Sequence, residues 1–136
     1  MTVALAFGGR RYNDMPTVDK ALTELNPSIV VQGGCVQRRG GVIRDDISAD
    51  RLARLWAEKN GVWCVEVPAL WSAHGRAAGI RRNEWMLHVA SHLTTLNPDP
   101  MKLVGVCFPG GNGTLNMLSL LRRAGVEVLF PAGPPP

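Results

Sequence analysis

The sequence predicts an α/β protein with a Rossmann-like three-layer architecture, in which helices cover both faces of a mainly parallel five-stranded sheet. Its strand-like runs are continuously apolar and do not alternate with polar residues, which is typical of strands buried on both faces. Helical patterns separate these runs in the order βαβαβαβαβ. Three runs also lead into glycine pairs, at residues 8–9, 33–34 and 110–111, which right-handed crossovers would place at one edge of the sheet.

The length of 136 residues fits one domain, which we expect to span residues 1–130 and to be followed by a loose proline-rich tail at 131–136. No apolar run reaches the roughly 20 residues of a membrane helix. The N-terminal stretch MTVALAFGG has no basic region or cleavage site and reads as a first strand. These features predict a cytoplasmic protein with no membrane partner.

The N-terminal half is predicted to form two βα units. In order, the elements are a strand at Val3–Phe7, a helix at Pro16–Leu25, a strand at Ile29–Val31 and a helix from the N-cap Ser48 to Asn60. Gly61 is suited to end the second helix. The intervening segment 33–47 is rich in glycine and charge and has no periodicity, so it is predicted to be a long loop.

The C-terminal half continues the same alternation. Its predicted elements are a strand at Val62–Val67, a loop at Pro68–Gly79, a helix at Ile80–Ser91, a strand at Leu103–Phe108, a helix at Thr114–Ala124 capped by Gly125, and a strand at Val126–Phe130. Helical spacing predicts that Trp85, Met86 and Val89 face inward on the first helix, and Leu115, Leu118 and Leu121 on the second.

The stretch Pro109-Gly-Gly-Asn-Gly-Thr114 contains three glycines where one would suffice for a turn. Glycines let backbone N–H groups approach an anion closely, and the positive end of the following helix points at the same place. We therefore expect Pro109, Gly110, Gly111, Gly113 and Thr114 to bind phosphate. The alternative is an ordinary βα turn with Thr114 as the N-cap. The stretch matches neither a Walker loop nor the GxGxxG fingerprint.

Arginine dominates the basic residues, with twelve arginines and three lysines in a chain of net charge +4. Eight arginines lie in or beside the loops at the predicted binding edge: Arg10, Arg11, Arg38, Arg39, Arg44, Arg76, Arg81 and Arg82. The planar guanidinium matches phosphate, which favours a small phosphate ligand. Solvated loop charge and GC-rich codon usage are the alternatives. The aromatic residues do not interleave with the arginines, so a nucleic-acid partner is not expected.

Cysteine and histidine positions do not indicate a metal or a disulfide framework. The three cysteines are widely spaced, and Cys35, which follows a glycine pair, is a candidate reactive thiol only as an alternative. His88 and His92 are four residues apart on one helix but lack a third ligand. His74, in a long loop, is a candidate for lining a pocket. We predict neither a metal nor a cofactor.

Several motifs, taken in order along the chain, resemble one family. They are Gly8-Gly9-Arg10, Gln32-Gly33-Gly34, Ser48-Ala49-Asp50, Trp71–Gly79, Arg82–Leu87 and the glycine loop 109–114. The glycine loop resembles the Pro-Gly-Gly-x-Gly-Thr-x-x-Glu motif of the lonely-guy (LOG) phosphoribohydrolases and lysine-decarboxylase-like proteins. The chain thereby resembles the SLOG superfamily of Rossmann-like nucleotide binders, most closely its YspA-like branch.

The resemblance implies a nucleotide site at the sheet edge. The residues it adds to the glycine loop are Gly8, Gly9, Arg10, Gly33, Gly34, Asp50, His74, Arg76, Arg82 and Asn83. Arg10 and Arg82 would neutralise the phosphate, and Asp50 and Asn83 would contact the ribose or base. The implied ligands are AMP, ADP-ribose or NAD derivatives. The implied role is that of a sensor or sequestering protein, as in some bacterial and phage immunity systems.

Two departures from the family pattern bear on activity. About ten residues are inserted between Cys35 and Ser48, beside the predicted pocket. The position of the motif's catalytic Glu is Met117, whereas Arg82 matches the family's catalytic arginine. A thioether cannot stabilise an oxocarbenium-like centre as a carboxylate does, so binding without turnover is predicted. A LOG-like hydrolase that cleaves the N-glycosidic bond of nucleoside 5′-monophosphates, with Arg82 as its catalytic arginine, is the alternative.

Superfamily relatives often form homo-oligomers, and the resemblance implies the same for this chain. The helix surface around Trp85 and Met86 is the expected contact.

Overall fold

The computed structural model describes residues 1–35, 37–44 and 47–135, and these contain seven strands and five helices. The strands are β1 (Thr2–Phe7), β2 (Ile29–Gln32), β3 (Gln37–Arg39), β4 (Val42–Arg44), β5 (Trp63–Glu66), β6 (Lys102–Cys107) and β7 (Glu127–Leu129). The helices are α1 (Met15–Leu25), α2 (Ala49–Asn60), α3 (Trp71–His74), α4 (Ala78–Leu93) and α5 (Asn112–Arg123), with a 3₁₀ turn at Gly75–Ala77.

Five of the strands form one parallel sheet in the order β5-β2-β1-β6-β7. The central strand β1 pairs on both sides, so that Val3 lies opposite Ile29 of β2 and opposite Leu103 of β6. The predicted fold class, a Rossmann-like α/β sandwich, is confirmed. From β1 the chain adds β2 and β5 on one side of the sheet, and it then crosses to the other side to add β6 and β7. The carboxyl end of β1 therefore lies at the topological switch point where α/β proteins bind ligands.

The two faces of the sheet carry separate hydrophobic cores. On one face α1 and α2 pack through Leu22 and Trp56 against Ala4, Ala6 and the other residues of that face. On the opposite face α4 and α5 pack on Leu5 and its neighbours. Residues 3–6 of β1 have no exposed surface at all, which explains why this strand is continuously apolar.

Helix boundaries follow local capping signals. The Asp14 side chain accepts a hydrogen bond from the Thr17 amide at the start of α1. Ser48 caps α2 as predicted, since its hydroxyl accepts a hydrogen bond from the Arg51 amide at 3.1 Å. Gly61 ends α2 in the left-handed conformation, with φ of 65°.

The predicted loop at 33–47 is wrong in its middle, where β3 and β4 form an antiparallel hairpin. Gly40 and Gly41 lie between the strands with φ of 58° and 81°. Two consecutive positive φ angles are what a two-residue hairpin turn requires. The glycine pair therefore marks a hairpin turn. The flanking strands are short and charged, so they lack the apolar alternation by which a hairpin is recognised in a sequence. Residues 36, 45 and 46 of this predicted loop lie outside the described residues.

The predicted loop at 68–79 is also wrong in part, because it contains α3 and the 3₁₀ turn, and α4 begins at Ala78. Two predicted inward residues point outward: Trp85 is 59% exposed and Leu115 is 48% exposed. On α5 the buried face is set by Thr114, Met117, Leu118 and Leu121, which recur at three- and four-residue spacing and leave Leu115 outside.

In the part of the chain that is described, no helix has both the length and the apolar character required to cross a bilayer.

Candidate functional site

The loops after β1 and β6, the segment after β2, the first turns of α2 and α5 and the middle of α4 enclose a cavity of about 300 Å³. We call it the cradle cavity; residues 7–10, Asp50, Arg82 and residues 111–114 are among those that line it. It lies at the carboxyl ends of the parallel strands, on the edge where the sequence predicts the glycine pairs to converge.

The loops after β1 and β6 are held together by their backbones. The Gly9 amide donates a hydrogen bond to the Pro109 carbonyl at 2.8 Å. A Cβ at Gly110 would collide with Thr114 Oγ1 and would lie 2.6 Å from the Gly9 nitrogen. Gly110 is therefore required by packing beneath the cavity and not by a ligand.

The other two glycines of the loop have a different surrounding. A Cβ at Gly111 or Gly113 would meet no protein atom within 4 Å, and neither residue has a positive φ. The fold itself therefore does not require glycine at these positions. Both line the cradle cavity, so their missing side chains leave open space in front of the backbone.

That open space lies at the amino end of α5. Gly111 is the N-cap residue, and no side chain among the described residues caps the helix. The first amides of a helix have no acceptor within the helix, and they carry the positive end of its dipole. Thr114 is not the N-cap that the alternative reading predicts; it lies in the first turn, only 7% exposed, and lines the cavity.

Two guanidinium groups border the same cavity. Arg10 is exposed, and Arg82 is partly buried and donates from Nη1 to the Gly33 carbonyl at 2.8 Å. No carboxylate among the described residues forms an ion pair with either of them. The Arg82 charge also stabilises the charged form of Asp50, but an anion in the cavity could interact with both guanidinium groups.

Asn83 holds the neighbouring elements together. Its Oδ1 accepts a hydrogen bond from Arg82 Nε at 3.1 Å, which orients the guanidinium. Its Nδ2 donates to the Gly113 carbonyl and to Asn116 Oδ1, both at 3.0 Å. Because both amide hydrogens are already used, Asn83 positions Arg82 and α5 relative to each other.

Asp50 provides a buried carboxylate in the cavity wall. It is 5% exposed, and its Oδ2 accepts a hydrogen bond from the Cys35 amide at 2.9 Å. Burial raises the pKa of Asp50 to about 6, although hydrogen bonds from the Cys35 and Gly33 amides and the Arg82 charge act in the opposite direction. A carboxylate beside two cations keeps the cavity from being uniformly positive. It offers an acceptor for hydroxyl groups of a ligand.

The segment that leads into α2 carries unusual backbone strain. Ser48 has φ of 99°, which L-residues rarely adopt, and is fully buried. Its amide donates to the Tyr12 carbonyl and its hydroxyl to the Cys35 carbonyl. These contacts tie residue 35 to the start of α2, which keeps Asp50 at the cavity wall.

The floor of the cavity is apolar, with contributions from Phe7, Met86 and Met117. Met117 has no exposed surface. Cys35 also lines the cavity, and burial followed by the Asp50 charge raises its thiol pKa, which opposes formation of a reactive thiolate.

Six predicted site residues do not line the cradle cavity: Gly33, Gly34, His74, Arg76, Pro109 and Gly110. Gly33 and Pro109 act through their backbone carbonyls, which accept hydrogen bonds from Arg82 and from the Gly9 amide respectively. The Gly34 amide is bonded to the Gln32 side chain at 2.6 Å. Arg76 lies exposed in the 3₁₀ turn and lines neither this cavity nor the next.

The other predicted cations are spread more widely. His74 and Arg81 line a neighbouring cavity, and Arg11 is exposed. Arg44 is partly buried in β4. The side chains of Arg38 and Arg39 lie outside the described residues. Of the arginines whose side chains are described, Arg10 and Arg82 thus line the cradle cavity.

A wider groove of about 570 Å³ runs beside the edge strand β5. Its arginine, Arg54, forms two ion pairs: Nε lies 2.9 Å from Glu58 Oε1, and Nη1 lies 3.9 Å from Glu66 Oε1. Two carboxylates for one guanidinium leave this groove without positive charge for an anion. The cradle cavity is therefore the better candidate site.

Sequence reasoning missed Phe7, Asn112 and the apolar floor, and it named Cys35 only as an alternative reactive thiol. Phe7 and Cys35 each adjoin a predicted glycine, so extending those two motifs by one residue would have included them; Asn112 lies within the glycine loop itself. Within the described residues, no three His, Cys, Asp or Glu side chains gather closely enough to hold a metal ion. No protein-family model matches the chain, and no curated protein is significantly similar to it in sequence.

Proposed function

We propose that this protein binds a nucleotide or nucleoside-phosphate derivative in the cradle cavity and acts as a sensor or sequestering protein. The observation that carries the proposal is the arrangement at Gly111–Thr114. Two glycines that the fold does not require expose the amino end of α5, opposite Arg10 and Arg82. Exposed helix amides and guanidinium groups are the donors that phosphate prefers.

The rest of the cavity supports a phosphate attached to a sugar. Asp50 offers a carboxylate acceptor for hydroxyl groups, whereas Met86 and Met117, which are 1% and 0% exposed, close the cavity from beneath and present almost no surface to a ligand. The volume of about 300 Å³ is at the lower end of the range for small-molecule sites. A role in bacterial or phage immunity and a cytoplasmic location belong to the same proposal through the resemblance to the SLOG superfamily.

The experiment is a thermal-unfolding panel with inorganic phosphate, ribose 5-phosphate, AMP, ADP-ribose and NAD. A ligand present at a hundred times its Kd should stabilise the protein by about 2.7 kcal/mol. Arg10→Gln should raise the Kd of every phosphate ligand about ten-fold or more, because a hydrogen bond to a charged group contributes about 1.5–3 kcal/mol.

Arg11→Gln is the matched control. Arg11 is the next residue, is also exposed, and does not line the cavity, so this variant should bind like the wild type. If the two substitutions weaken binding equally, general charge and not the cradle attracts the ligand. If no compound of the panel stabilises the wild type, the proposed function is wrong.

A second candidate is a hydrolase that cleaves nucleoside 5′-monophosphates, and the observation that favours it is Asp50. A carboxyl with a pKa of about 6 in the same cavity has the properties of a general acid or base near neutral pH. Met117 argues against it, because the family's catalytic carboxylate is missing there. Release of free base from AMP by the wild type, abolished by Asp50→Asn and by Arg82→Ala, would establish the hydrolase.

Homo-oligomer formation stays a prediction. Met86 is 1% exposed and lies in the core of the monomer, so it is not available to a partner. Exposed apolar side chains on and near α4 include Leu70, Trp71, Ile80 and Trp85. Sedimentation velocity over a range of protein concentrations would show whether this surface associates.

A further inference from the structure

A second cavity, of about 240 Å³, adjoins the cradle cavity. We call it the side cavity; it lies between α4 and the segment that follows β5, and Leu70, His74 and Trp85 are among the residues that line it. Arg82 lines both cavities, so its side chain forms part of the boundary between them. Since Val67 directly follows β5, the side cavity opens at the same edge of the sheet as the cradle cavity.

The two cavities differ in chemistry. The cradle cavity has helix amides, two guanidinium groups and a carboxylate, whereas most residues of the side cavity are apolar. Leu70 is 56% exposed and Trp85 is 59% exposed, although both are large apolar side chains. An apolar hollow beside a charged site is the usual form of a small-molecule pocket, in which polar groups orient the ligand and apolar groups cover the remainder.

We propose that the side cavity binds the aromatic base of the ligand whose phosphate occupies the cradle cavity, with Trp85 as the stacking surface. This inference rests on the proposed function. Three features select an aromatic heterocycle as the occupant. Trp85 is 59% exposed and lines the hollow, Arg81 brings a guanidinium plane of the kind that stacks on aromatic rings, and a pentose can bridge the Arg82 side chain that lines both cavities.

A second copy of the chain is the competing occupant. The side cavity favours the base because it is a concave hollow next to an anion site, whereas the surface of Trp71 and Ile80 lies outside its lining. If the side cavity binds the base, the base should bind there only when it is covalently attached to a phosphate that occupies the cradle cavity. This dependence on the phosphate distinguishes base binding from general apolar association.

The test compares AMP with ribose 5-phosphate, which lacks the base. Calorimetric titrations of the full chain should show that Trp85→Ala raises the Kd for AMP about ten-fold and leaves the Kd for ribose 5-phosphate unchanged. Leu70→Ala should act in the same direction with a smaller change. Trp63→Ala is the control, because Trp63 is 79% exposed at the edge strand β5 and lines neither cavity.

Each other result would overturn the inference. Equal Kd values of wild type and Trp85→Ala for AMP would show that the base lies elsewhere. An equal loss for both ligands would show that Trp85 only supports Arg82. If Trp85→Ala changes the sedimentation coefficient of the protein and leaves its affinity for AMP unchanged, the side cavity is an interface with a second copy of the chain. Failure of both ligands to bind the wild type would instead refute the proposed function, and this inference with it.

Discussion

Replacing Gly113 with alanine should improve the fold and damage the proposed phosphate site. Gly113 is the second residue of α5, has no protein atom within 4 Å of a Cβ position, and lines the cradle cavity. In a helix the Cα–Cβ bond tilts toward the amino end. The new methyl group would therefore project toward the place where the amides of α5 would meet an anion.

The two expected effects have opposite signs. Alanine is more favourable than glycine in a helix by up to about 1 kcal/mol, which corresponds to a Tm increase of about 3–4 °C in a domain of this size. A methyl group close to the amides prevents an oxygen from reaching hydrogen-bond distance. We expect the Kd for ribose 5-phosphate to rise about ten-fold or more. At a concentration of a hundred times the wild-type Kd, the ligand's stabilisation should fall from about 2.7 to about 1.4 kcal/mol.

The assay is thermal unfolding of each variant with and without ribose 5-phosphate. Gly79→Ala is the matched control, since Gly79 is the second residue of α4 and its Cβ would lie 3.8 Å from the Trp71 ring, an ordinary contact. This control should gain stability and keep its affinity. Gly110→Ala should lose about 1–3 kcal/mol of stability, because its Cβ would overlap Thr114.

Two results would refute this reasoning. If Gly113→Ala keeps the full ligand-induced stabilisation, the open space in front of α5 has no part in binding. If Gly113→Ala is destabilised like Gly110→Ala, the position is a packing requirement and the argument for a ligand at this loop fails.

Three further predictions concern stability. Because the pKa of Asp50 rises from 3.8 to about 6 on folding, the folded state holds the proton more tightly. The contribution of Asp50 to the free energy of unfolding should therefore fall by about 3 kcal/mol as the pH rises from about 4 to about 6; urea unfolding should show that Asp50→Asn removes this slope. Ser48→Ala should lower the free energy of unfolding by about 1–2 kcal/mol through loss of the cap. Ser48→Gly should lower it by less, because glycine accepts φ of 99° without strain. Equal losses of the two variants in chemical denaturation would contradict this. Trp56→Phe removes the Nε1 hydrogen bond to Thr23 Oγ1 at 3.1 Å and also buried volume, because Trp56 is 2% exposed, so it should cost more than the roughly 1 kcal/mol of the hydrogen bond. Thr23→Val removes the same hydrogen bond and should cost about 1 kcal/mol; no change in either variant is the contrary outcome.

The strands and the larger helices could be predicted because their signals are local. Burial on both faces makes residues 3–7 of β1 and 29–31 of β2 continuously apolar, and the caps Ser48 and Gly61 mark α2 within a few residues of sequence. The hairpin of β3 and β4 escaped prediction because its strands are three residues long and charged, so neither hydrophobic period is present. The orientation of Trp85 escaped because several apolar positions on α4 are consistent with a buried face, and only packing against the sheet selects one of them.

The sequence by itself determined the α/β class, the alternation along the chain of the strands of the main sheet with helices, and the edge at which the glycine loops meet, since these follow from the period of burial and from the handedness of βαβ crossovers. Only the tertiary structure decided which glycines serve the fold and which leave space for a ligand. Gly110 is required by its contacts with Thr114 and with Gly9, of which the second is far away in sequence, and Arg82 donates a hydrogen bond to the carbonyl of Gly33, 49 residues earlier. Contacts between such distant residues depend on the packing of whole elements, which no local pattern encodes.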